Sequence, residues 1–519
     1  MSKPAYFVAP WDLNTALPCV PDDPGAGSVV FVESVAKGRA MPYHKKKLVL
    51  VLSAMHHFAQ RLEAEGYDVE VLNAPTYVEG IEKHVAERGS SKVVAMEPRE
   101  WGLARAFDRA EADGTFGVPL ERHDDGGEGS HFFLAREEFA AWAEGKKQLR
   151  MADFYRVMRK RTGYLMDAKG KPVGGKWSLD AENRNHAKGV QPPKAPSFEP
   201  DALTVTVMKR VEGWKFRFGD VDGFDWPVTR EDALAQIDDF FGARAGDFGR
   251  YQDAMLVGEP FMWHSLVSPA INLGLISPRE VCDRIVAAYD AGRMPLASAE
   301  GLLRQILGWR EFIRGVYWLQ MPGLRTDNLL GAKRKLPDFF WEPEKTELRC
   351  LAESIGQVKQ WGYGHHIQRL MVQGNFAMLA GIDPLEISHW FWAAFVDAYE
   401  WVELPNVHGM AVYANDAFTT KPYAASGSYI NKMSDYCKGC RYDVKQRIGD
   451  DACPFNALFW HFLDRHRERF EANHRLRVLY GNWDKTSAAD QRAILDTADR
   501  FLDGLTPPAE PWTFDDDAG

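Results

Sequence analysis

The sequence predicts an α/β N-terminal domain with a doubly wound parallel sheet, followed by a large all-α domain. Between residue 4 and about residue 130, short apolar runs alternate with amphipathic stretches, a pattern typical of a parallel sheet covered by helices on both faces. From about residue 230 onward strand signals nearly vanish, and apolar residues recur at helical spacing. We therefore expect three regions, at 1–135, 136–229 and 230–519.

In the first region, the runs YFVA, SVVFVES at 28–34, DVEVL and KVVAME at 92–97 predict strands. The stretches KKLVLVLSAMHHFAQRLEAEG at 46–66, YVEGIEKHVAERG and WGLARAFDRAEADG are amphipathic and separate those strands. No GxGxxG follows the first strand, so a Rossmann dinucleotide site is not supported.

The middle region is basic, although the whole chain of 519 residues carries a net charge of −10. Residues 141–195 hold 13 basic and 5 acidic side chains, a local net charge of +8. Such a local excess of positive charge is typical of a surface that binds a polyanion. The alternative interpretation is a basic loop that is only solvated. Glycine and proline pairs at 174–175 and 192–193 indicate an interdomain connection.

The third region holds most of the 17 tryptophans, in helical patterns such as SAEGLLRQILGWREFIRGVYWLQM at 298–321. Aromatic rings ordinarily fill cores, but so many can also surround a planar cofactor or carry electrons. The chain is 45% hydrophobic, too apolar for a disordered protein. Because the N-terminus lacks signal-peptide features and no run is long enough to span a membrane, we expect a cytoplasmic protein without membrane contact.

Four of the six cysteines form a candidate metal centre. Cys437, Cys440 and Cys453 have the spacing C-x2-C-x12-C, and Cys350 is available as a fourth ligand. By ligand count alone, four thiolates fit zinc or an iron–sulfur cluster equally well. The Cys-Pro dipeptide at 453–454 weakly favours [4Fe–4S].

Together these motifs resemble the iron–sulfur bacterial cryptochromes and photolyases, the prokaryotic (6-4) photolyase family of deoxyribodipyrimidine photolyase-related proteins. The resemblance is carried by HSLVSPAINLGL at 264–275, RQILGWREFIRGVYW at 304–318, GHHIQRLMVQGNFAMLAGIDP at 364–384, DAYEWVELPNVHGM at 397–410 and KPYAASGSYINKMSDYCKGCRYD at 421–443. GGKWSLDAENR at 174–184 and YHKKKLVLVLSAMHHFA at 43–59 also match. It implies the photolyase/cryptochrome fold and a lyase that repairs (6-4) pyrimidine–pyrimidone photoproducts, using light and electron transfer from reduced FAD.

The resemblance also implies site residues. Ser265 and Ser268, near the start of the INLGL helix, suit a pyrophosphate, because helix N-termini favour anions. Gln305 and Trp309 share one helix face and are suited to wall a cofactor. The residues expected to contact FAD are His264, Ser265, Leu266, Ser268, Gln305, Trp309, Asn375, Phe391, Asp397, Tyr399 and Glu403.

For the chemistry, the resemblance points to His366 as the acid, supported by His365. Histidine can donate a proton near neutral pH, since its reference pKa is about 6.5. Trp390, Trp341 and Tyr429 match the family's photoreduction chain, although each ring alone would be read as core packing. The four cysteines, Cys350, Cys437, Cys440 and Cys453, match the ligands of a [4Fe–4S] cluster with a structural role.

The expected partner is UV-damaged DNA, bound by a monomer. Phosphate or lesion contacts are expected from Arg184 and the basic run at 156–161, which includes Arg159, Lys160 and Arg161. Asp180 is a candidate ligand for Mg2+, an ion that prefers oxygen ligands near phosphate.

The chain departs from the family pattern in four places. APWDL at 9–13 replaces a Gly-Asp-Gln-Leu element, and Lys37 stands where an acidic residue is expected. Both changes concern the 6,7-dimethyl-8-ribityllumazine antenna, for which Asp12 and Glu33 are the remaining contacts. Phe391 replaces a tyrosine, and one residue is inserted between positions 341 and 350.

Two alternatives stay open from sequence. One is a blue-light photoreceptor of the same fold that signals without repair. The other is an iron–sulfur nucleic-acid-binding module, of which the large primase subunit is an example.

Overall fold

The protein, described by a computed structural model for residues 2–127, 129–215, 217–509 and 514, begins with a five-stranded parallel sheet. The strand order is β3-β2-β1-β4-β5, so the chain winds outward from the centre in both directions. The strands are β1 Ala5–Phe7, β2 Ser28–Ser34, β3 Asp68–Ala74, β4 Val93–Met96 and β5 Leu120–His123. The four predicted strands are confirmed. The fifth was not predicted, because its sequence LERH is mostly charged and lies at the half-exposed sheet edge.

Helices cover both faces of this sheet, as predicted. They are α1 Val35–Arg39, α2 Lys45–Ala64, α3 Tyr77–Arg88 and α4 Trp101–Ala112. Helix α3 shows how the sequence sets its ends: the Thr76 side chain accepts the Glu79 N–H, and Gly89 closes the helix at φ 61°. Gly80 lets α3 approach β2, since a Cβ there would lie 2.6 Å from Val32.

The segment after the sheet contains three helices and long irregular stretches. The helices are α5 Arg136–Ala143, α6 Met151–Thr162 and α7 Ala202–Glu212, with short 3-10 turns at Val173–Gly175 and Asp180–Glu182. Helix α7 packs back on α2 of the first domain. The basic residues between α6 and α7 therefore lie on an irregular connection, which leaves many of them exposed.

The remainder is helical, and no strand follows His123 in the described ranges. Its α-helices are α8 Arg230–Asp239, α9 Ala245–Tyr251, α10 Ser268–Leu273, α11 Pro278–Asp290, α12 Leu296–Leu303, α13 Glu311–Gln320, α14 Arg349–Trp361, α15 Asn375–Ala380, α16 Pro384–Ala394, α17 Glu400–Asn406, α18 Gly427–Met433, α19 Pro454–Arg465, α20 Arg467–Phe470, α21 Arg477–Asp484 and α22 Ala488–Asp503. Four π-helical segments interrupt this set, at Phe240–Arg244, Arg304–Arg310, Gln368–Gly374 and Val407–Ala411. Such segments are frequent at functional sites. None of the described helices is long and apolar enough to span a membrane.

Buried cations join the two domains. Lys47 of α2 donates to the carbonyl oxygens of Trp392 and Ala398, both at 2.6 Å. Arg99 donates to the Asn272 carbonyl at 3.0 Å. These bonds hold the segment after α16 against the first domain, which fixes one wall of the site described next.

Candidate functional site

Two histidines stand at the entrance to the π-helical segment Gln368–Gly374. His365 is buried and stacks on His264, with ring centroids 4.5 Å apart and planes 17° apart. The His366 side chain is exposed, and desolvation by the surrounding protein, helped by Arg369, lowers the pKa of its ring to about 4. The structure thus brings the predicted histidine pair and His264 together.

A buried ion cluster lies beside the histidines. Arg369 pairs with Asp397 at 2.8 Å and with Glu403 at 3.2 Å, and donates to the Gly364 carbonyl at 2.7 Å. The Ser268 hydroxyl donates to Asp397 at 2.7 Å. Burial raises the pKa of Glu403 to about 7, although Arg369 opposes that rise. Sequence reasoning missed Arg369, whose signal was its position four residues after His365.

The loop before α10 carries backbone strain next to this cluster. Met262 and Leu266 have φ values of 47° and 60°, a left-handed region that residues with side chains seldom adopt. Strain of this kind collects at ligand sites, where the surroundings enforce it. Leu266 therefore turns the chain between the predicted contacts Ser265 and Ser268.

Several buried polar atoms of the histidines and of the π-helical segment after them have no hydrogen-bond partner in the described chain. They are Nε2 of His264, both ring nitrogens of His365 and both amide atoms of Gln373. Unpaired buried polar atoms are costly, and a polar ligand can satisfy them. The residues at this site thus fit FAD, whose ring, ribityl and phosphate groups offer both donors and acceptors.

Other predicted FAD contacts take different positions. Gln305 is exposed and donates to the Gly301 carbonyl at 3.3 Å, while Trp309 packs against Phe418. The Asn375 amide exchanges two hydrogen bonds with the Ala425 backbone, at 2.8 and 3.0 Å, and so anchors the loop before α18. Tyr399 lines a cavity in the first domain, where the centroids of its ring and of the Trp11 ring lie 6.2 Å apart.

An aromatic cluster connects the ion cluster to Trp390. The Arg369 guanidinium lies 4.0 Å from the Phe395 ring, and Phe395 stacks on Phe391 at 5.5 Å. Trp390 is fully buried, contacts both phenylalanines and donates to the Phe340 carbonyl at 2.8 Å. Trp390 and Phe391 thus connect to Arg369 through the Phe395 ring.

The other two predicted electron carriers lie in different surroundings. Trp341 follows Phe340 in the chain, and its ring packs against Phe218 at 5.5 Å. Tyr429 lies on α18 near Asp253 and Arg184, and burial raises its pKa to about 12. The described ring contacts include none between Tyr429 and either tryptophan.

The four predicted cysteine ligands line one small cavity, together with Tyr436 and Gly427. Burial raises the pKa of the Cys350 thiol well above its usual value, that of Cys437 to about 12 and that of Cys453 to about 11. No three His, Cys, Asp or Glu side chains of the described chain converge closely enough to hold a single metal ion. The four cysteine side chains thus share one cavity.

One side chain links the cysteine cavity to the histidines. The buried Tyr436 hydroxyl accepts a hydrogen bond from Nε2 of Gln368 at 3.0 Å. Oε1 of the same glutamine accepts the His365 backbone N–H at 3.1 Å. Gln368 therefore links Tyr436, which precedes Cys437, to His365, which precedes His366.

The first domain contains a cavity of about 980 Å³ that opens beside Trp392. Glu33 lies in its wall and accepts hydrogen bonds from His56 at 2.6 Å and Arg210 at 3.0 Å. Lys37 lies there too: it pairs with Glu100, and its ammonium is 4.8 Å from the Trp392 ring. The cavity therefore contains one of the two predicted antenna contacts.

The second predicted antenna contact, Asp12, is not in that wall. It is buried and accepts hydrogen bonds from His131 at 2.9 Å and Arg99 at 3.1 Å. Oδ1 of its carboxylate is thereby held in the domain seam. Sequence reasoning missed Lys47, Tyr43 and Glu100, which line the cavity because α1 and α2 meet there.

The predicted DNA contacts on the connector divide into exposed and buried groups. Arg184 and Lys160 are exposed, and Arg161 is exposed but paired with Glu138. Arg159 is buried, and its guanidinium donates to the Leu165 carbonyl. Arg159 thus braces the connector, because its Nε and one terminal nitrogen donate to the carbonyl oxygens of Tyr164 and Leu165.

Asp180, the candidate Mg2+ ligand, accepts hydrogen bonds from two arginines. Arg184 and Arg304 both pair with it, the latter at 3.0 Å, and despite burial they lower its pKa. Asp253 lies nearby, and burial and the charge of Asp180 raise its pKa to about 6. Two carboxyl groups and two guanidinium groups thus meet beside Tyr429.

Comparisons with known proteins agree with this architecture. The family described as deoxyribodipyrimidine photo-lyase-related protein matches residues 7–226. The chain is 43% identical over 487 residues to a protein of Agrobacterium fabrum named (6-4) photolyase, covering 92% of this chain and 94% of the relative.

Solved structures show the same fold. A bacterial class III photolyase from Agrobacterium tumefaciens matches with a TM-score of 0.62 and 16% identity, covering 97% of this chain and 98% of that one. A Synechocystis cryptochrome matches with a TM-score of 0.54 and 14% identity, over 98% and 97% of the two chains. The fold is that of photolyases and cryptochromes, as predicted.

The chain belongs to the photolyase-related family of bacterial (6-4) photolyases. Membership of this family implies FAD as the cofactor, which the unpaired polar atoms of the site fit. The similarity extends over nearly the whole chain, and this argues against the primase-like alternative, which required only a helical cluster-binding module.

Proposed function

We propose that the protein repairs UV-induced (6-4) pyrimidine–pyrimidone photoproducts in DNA, driven by light. The observation in the structure that carries this proposal is the exposed His366 ring beside the buried Arg369–Asp397 pair. The name of the relative, with 43% identity, supplies the lesion type. A damaged base pair opens at lower cost, so the lesion can flip from the duplex to such a site.

Bound FAD, when reduced and excited, supplies the electron that starts repair. The work of the protein is then to position the lesion and to move a proton between its two bases. His366 is the group at this site suited to deliver that proton. Burial and Arg369 keep the ring neutral in the free protein, and the phosphates of bound DNA would raise its proton affinity.

Glu403 is a second proton-holding group at this site. With a pKa near 7, its carboxyl group can exist in either protonation state at neutral pH. Arg369 is held by two carboxylates, and so it keeps a fixed positive charge against the Phe395 ring. His365, buried and neutral, fixes the position of its neighbour by stacking on His264.

The proposal includes three further groups. A [4Fe–4S] cluster on the four cysteines is supported by their common cavity. A lumazine antenna is supported by the size of the cavity at Glu33 and its aromatic wall. Mg2+ at Asp180 is supported by the neighbouring Asp253, although Arg184 and Arg304 compete for the same carboxylate.

The test is a repair assay on an oligonucleotide that carries one (6-4) photoproduct, in blue light and in the dark. We expect the lesion to disappear only in light and only with reduced flavin. If the lesion stays intact while the flavin photoreduces normally, the proposal fails and the photoreceptor alternative is favoured. A visible spectrum without flavin bands would contradict both.

A further inference from the structure

A basic groove lies next to the cysteine cavity and has no part in the chemistry above. It has a volume of about 490 Å³, and it is lined by Ser428, Asn431, Lys445, Arg447 and Trp460. We call it the basic groove. Hydroxyl, amide and cationic groups thus surround one half-exposed indole ring.

The two cations of the groove are available to a ligand. Lys445 and Arg447 are exposed, and neither forms an ion pair with any residue of the described ranges. Asp443, the nearest carboxylate in sequence, accepts the Lys445 backbone N–H at 2.8 Å. The protein has a net charge of −10, so carboxylates outnumber cationic side chains. Lys445 and Arg447 nevertheless form no ion pair with a described residue.

The loop that carries these cations is held in place from inside. Asn456 is buried and donates to the carbonyl oxygens of Val444 and Gln446, both at 2.8 Å. Its own side-chain oxygen accepts the Gly427 N–H at 3.1 Å. The groove floor is equally fixed, because Trp460 stacks on Trp483 with centroids 5.1 Å apart.

The groove continues the surface proposed for the lesion. Helix α18 contributes Tyr429, near Arg184, and also Ser428 and Asn431 of the groove. On the connector, Lys188 donates to the Asn431 carbonyl. The basic connector therefore leads from Arg184 to the edge of the groove.

We propose that the basic groove binds the phosphate backbone of the DNA that flanks the lesion. This inference rests on the proposed function, because it extends the contact surface of the same substrate. Cations and hydroxyl groups bind phosphate oxygens, and an exposed indole can stack on a sugar or a base. The groove adds affinity that does not depend on the lesion.

The test compares two double variants of the flavin-loaded protein. K445A/R447A removes the cations of the groove. R109A/K209A removes two exposed cations that also form no ion pair within the described residues, on α4 and α7, which pack against α3 and α2. Both change the net charge equally. Binding to a duplex with and without one (6-4) lesion is measured over a salt series, and repair is measured at saturating DNA.

We expect K445A/R447A to bind both duplexes more weakly by the same factor. Each phosphate contact contributes about 0.9 to the salt slope of log K, so its slope should fall by about 1.8. The control should keep the parent's affinity and slope, and both variants should repair saturating DNA at the parent's rate. The inference fails if K445A/R447A keeps the parent's slope, or if the control loses as much. The proposed function fails separately, if the parent binds DNA but removes no lesion in light.

Discussion

His366 is the residue on which the proposed chemistry depends most. We expect His366→Ala to lower the light-dependent repair rate by about 10² or more, because positioned acids contribute about that much. Flavin content and flavin photoreduction should not change, since the ring is exposed and is not part of the hydrophobic core. The exposed His474 provides the control as His474→Ala. Repair by H366A at the parent's rate would remove the histidine from the mechanism.

Trp390 is the residue best placed to pass electrons to the cofactor site. Its ring contacts Phe391 and Phe395, which lead to Arg369. We expect Trp390→Phe to slow photoreduction of the flavin in blue light, followed by absorbance at about 450 nm. Trp401→Phe is the matched control, because Trp401 is equally buried but packs against Phe132 in the sheet domain. Equal photoreduction rates in the two variants would contradict this assignment.

At the scale of elements, the hydrogen bond between Tyr436 and Gln368 couples the cysteine segment to the helix of the histidines. We expect Tyr436→Phe to lower the repair rate while iron, flavin and DNA affinity stay at parent levels, because Gln368 then holds His365 less firmly. Tyr480→Phe is the control, since that hydroxyl also makes one buried hydrogen bond, to Leu463 at 3.0 Å. Each variant should lose about 1 kcal/mol of stability. If Tyr436→Phe and Tyr480→Phe lose the same fraction of repair activity, the cause is general destabilisation and the Tyr436–Gln368 hydrogen bond has no specific role.

Sequence patterns specified the elements better than the side-chain partners. Alternating apolar runs located four strands, because burial of a parallel strand leaves a continuous apolar signal. They could not show that Asp12 is engaged by Arg99, or that Tyr399 lines the cavity in the first domain, since those contacts depend on how the domains meet. Arg159 looked like a surface cation for the same reason, although its guanidinium is buried.

At the scale of the whole molecule, buried side chains form the seam between the domains. Lys47 and Arg99 donate to carbonyl groups of the helical domain, and Glu311 accepts two backbone N–H groups from the segment at 133–134. A buried donor or acceptor without its partner costs about 1–3 kcal/mol, so this seam strongly favours a single arrangement of the domains. The charged side chains thus fall into two groups. Buried ones such as Lys47, Arg99 and Glu311 fix the arrangement of the domains, and exposed basic ones lie on the connector.

Buried histidines should make the stability of the whole molecule depend on pH. Burial lowers the pKa of His44 to about 3, and those of His131 and His408 to about 4. In the unfolded chain the value is about 6.5, so between these limits the unfolded state binds more protons. This contribution to stability is fully present above pH 6.5 and is lost as the pH falls towards 4.

Glu311 and Glu403 act in the opposite sense, because their raised pKa values of about 7 favour the folded state at low pH. The histidines are more numerous, so we expect the Tm of the flavin-loaded protein to be higher at about pH 6.5 than at about pH 5.5. His44→Gln should reduce that difference, and an equal or lower Tm at the higher pH would contradict the assignment of these histidines as neutral in the fold.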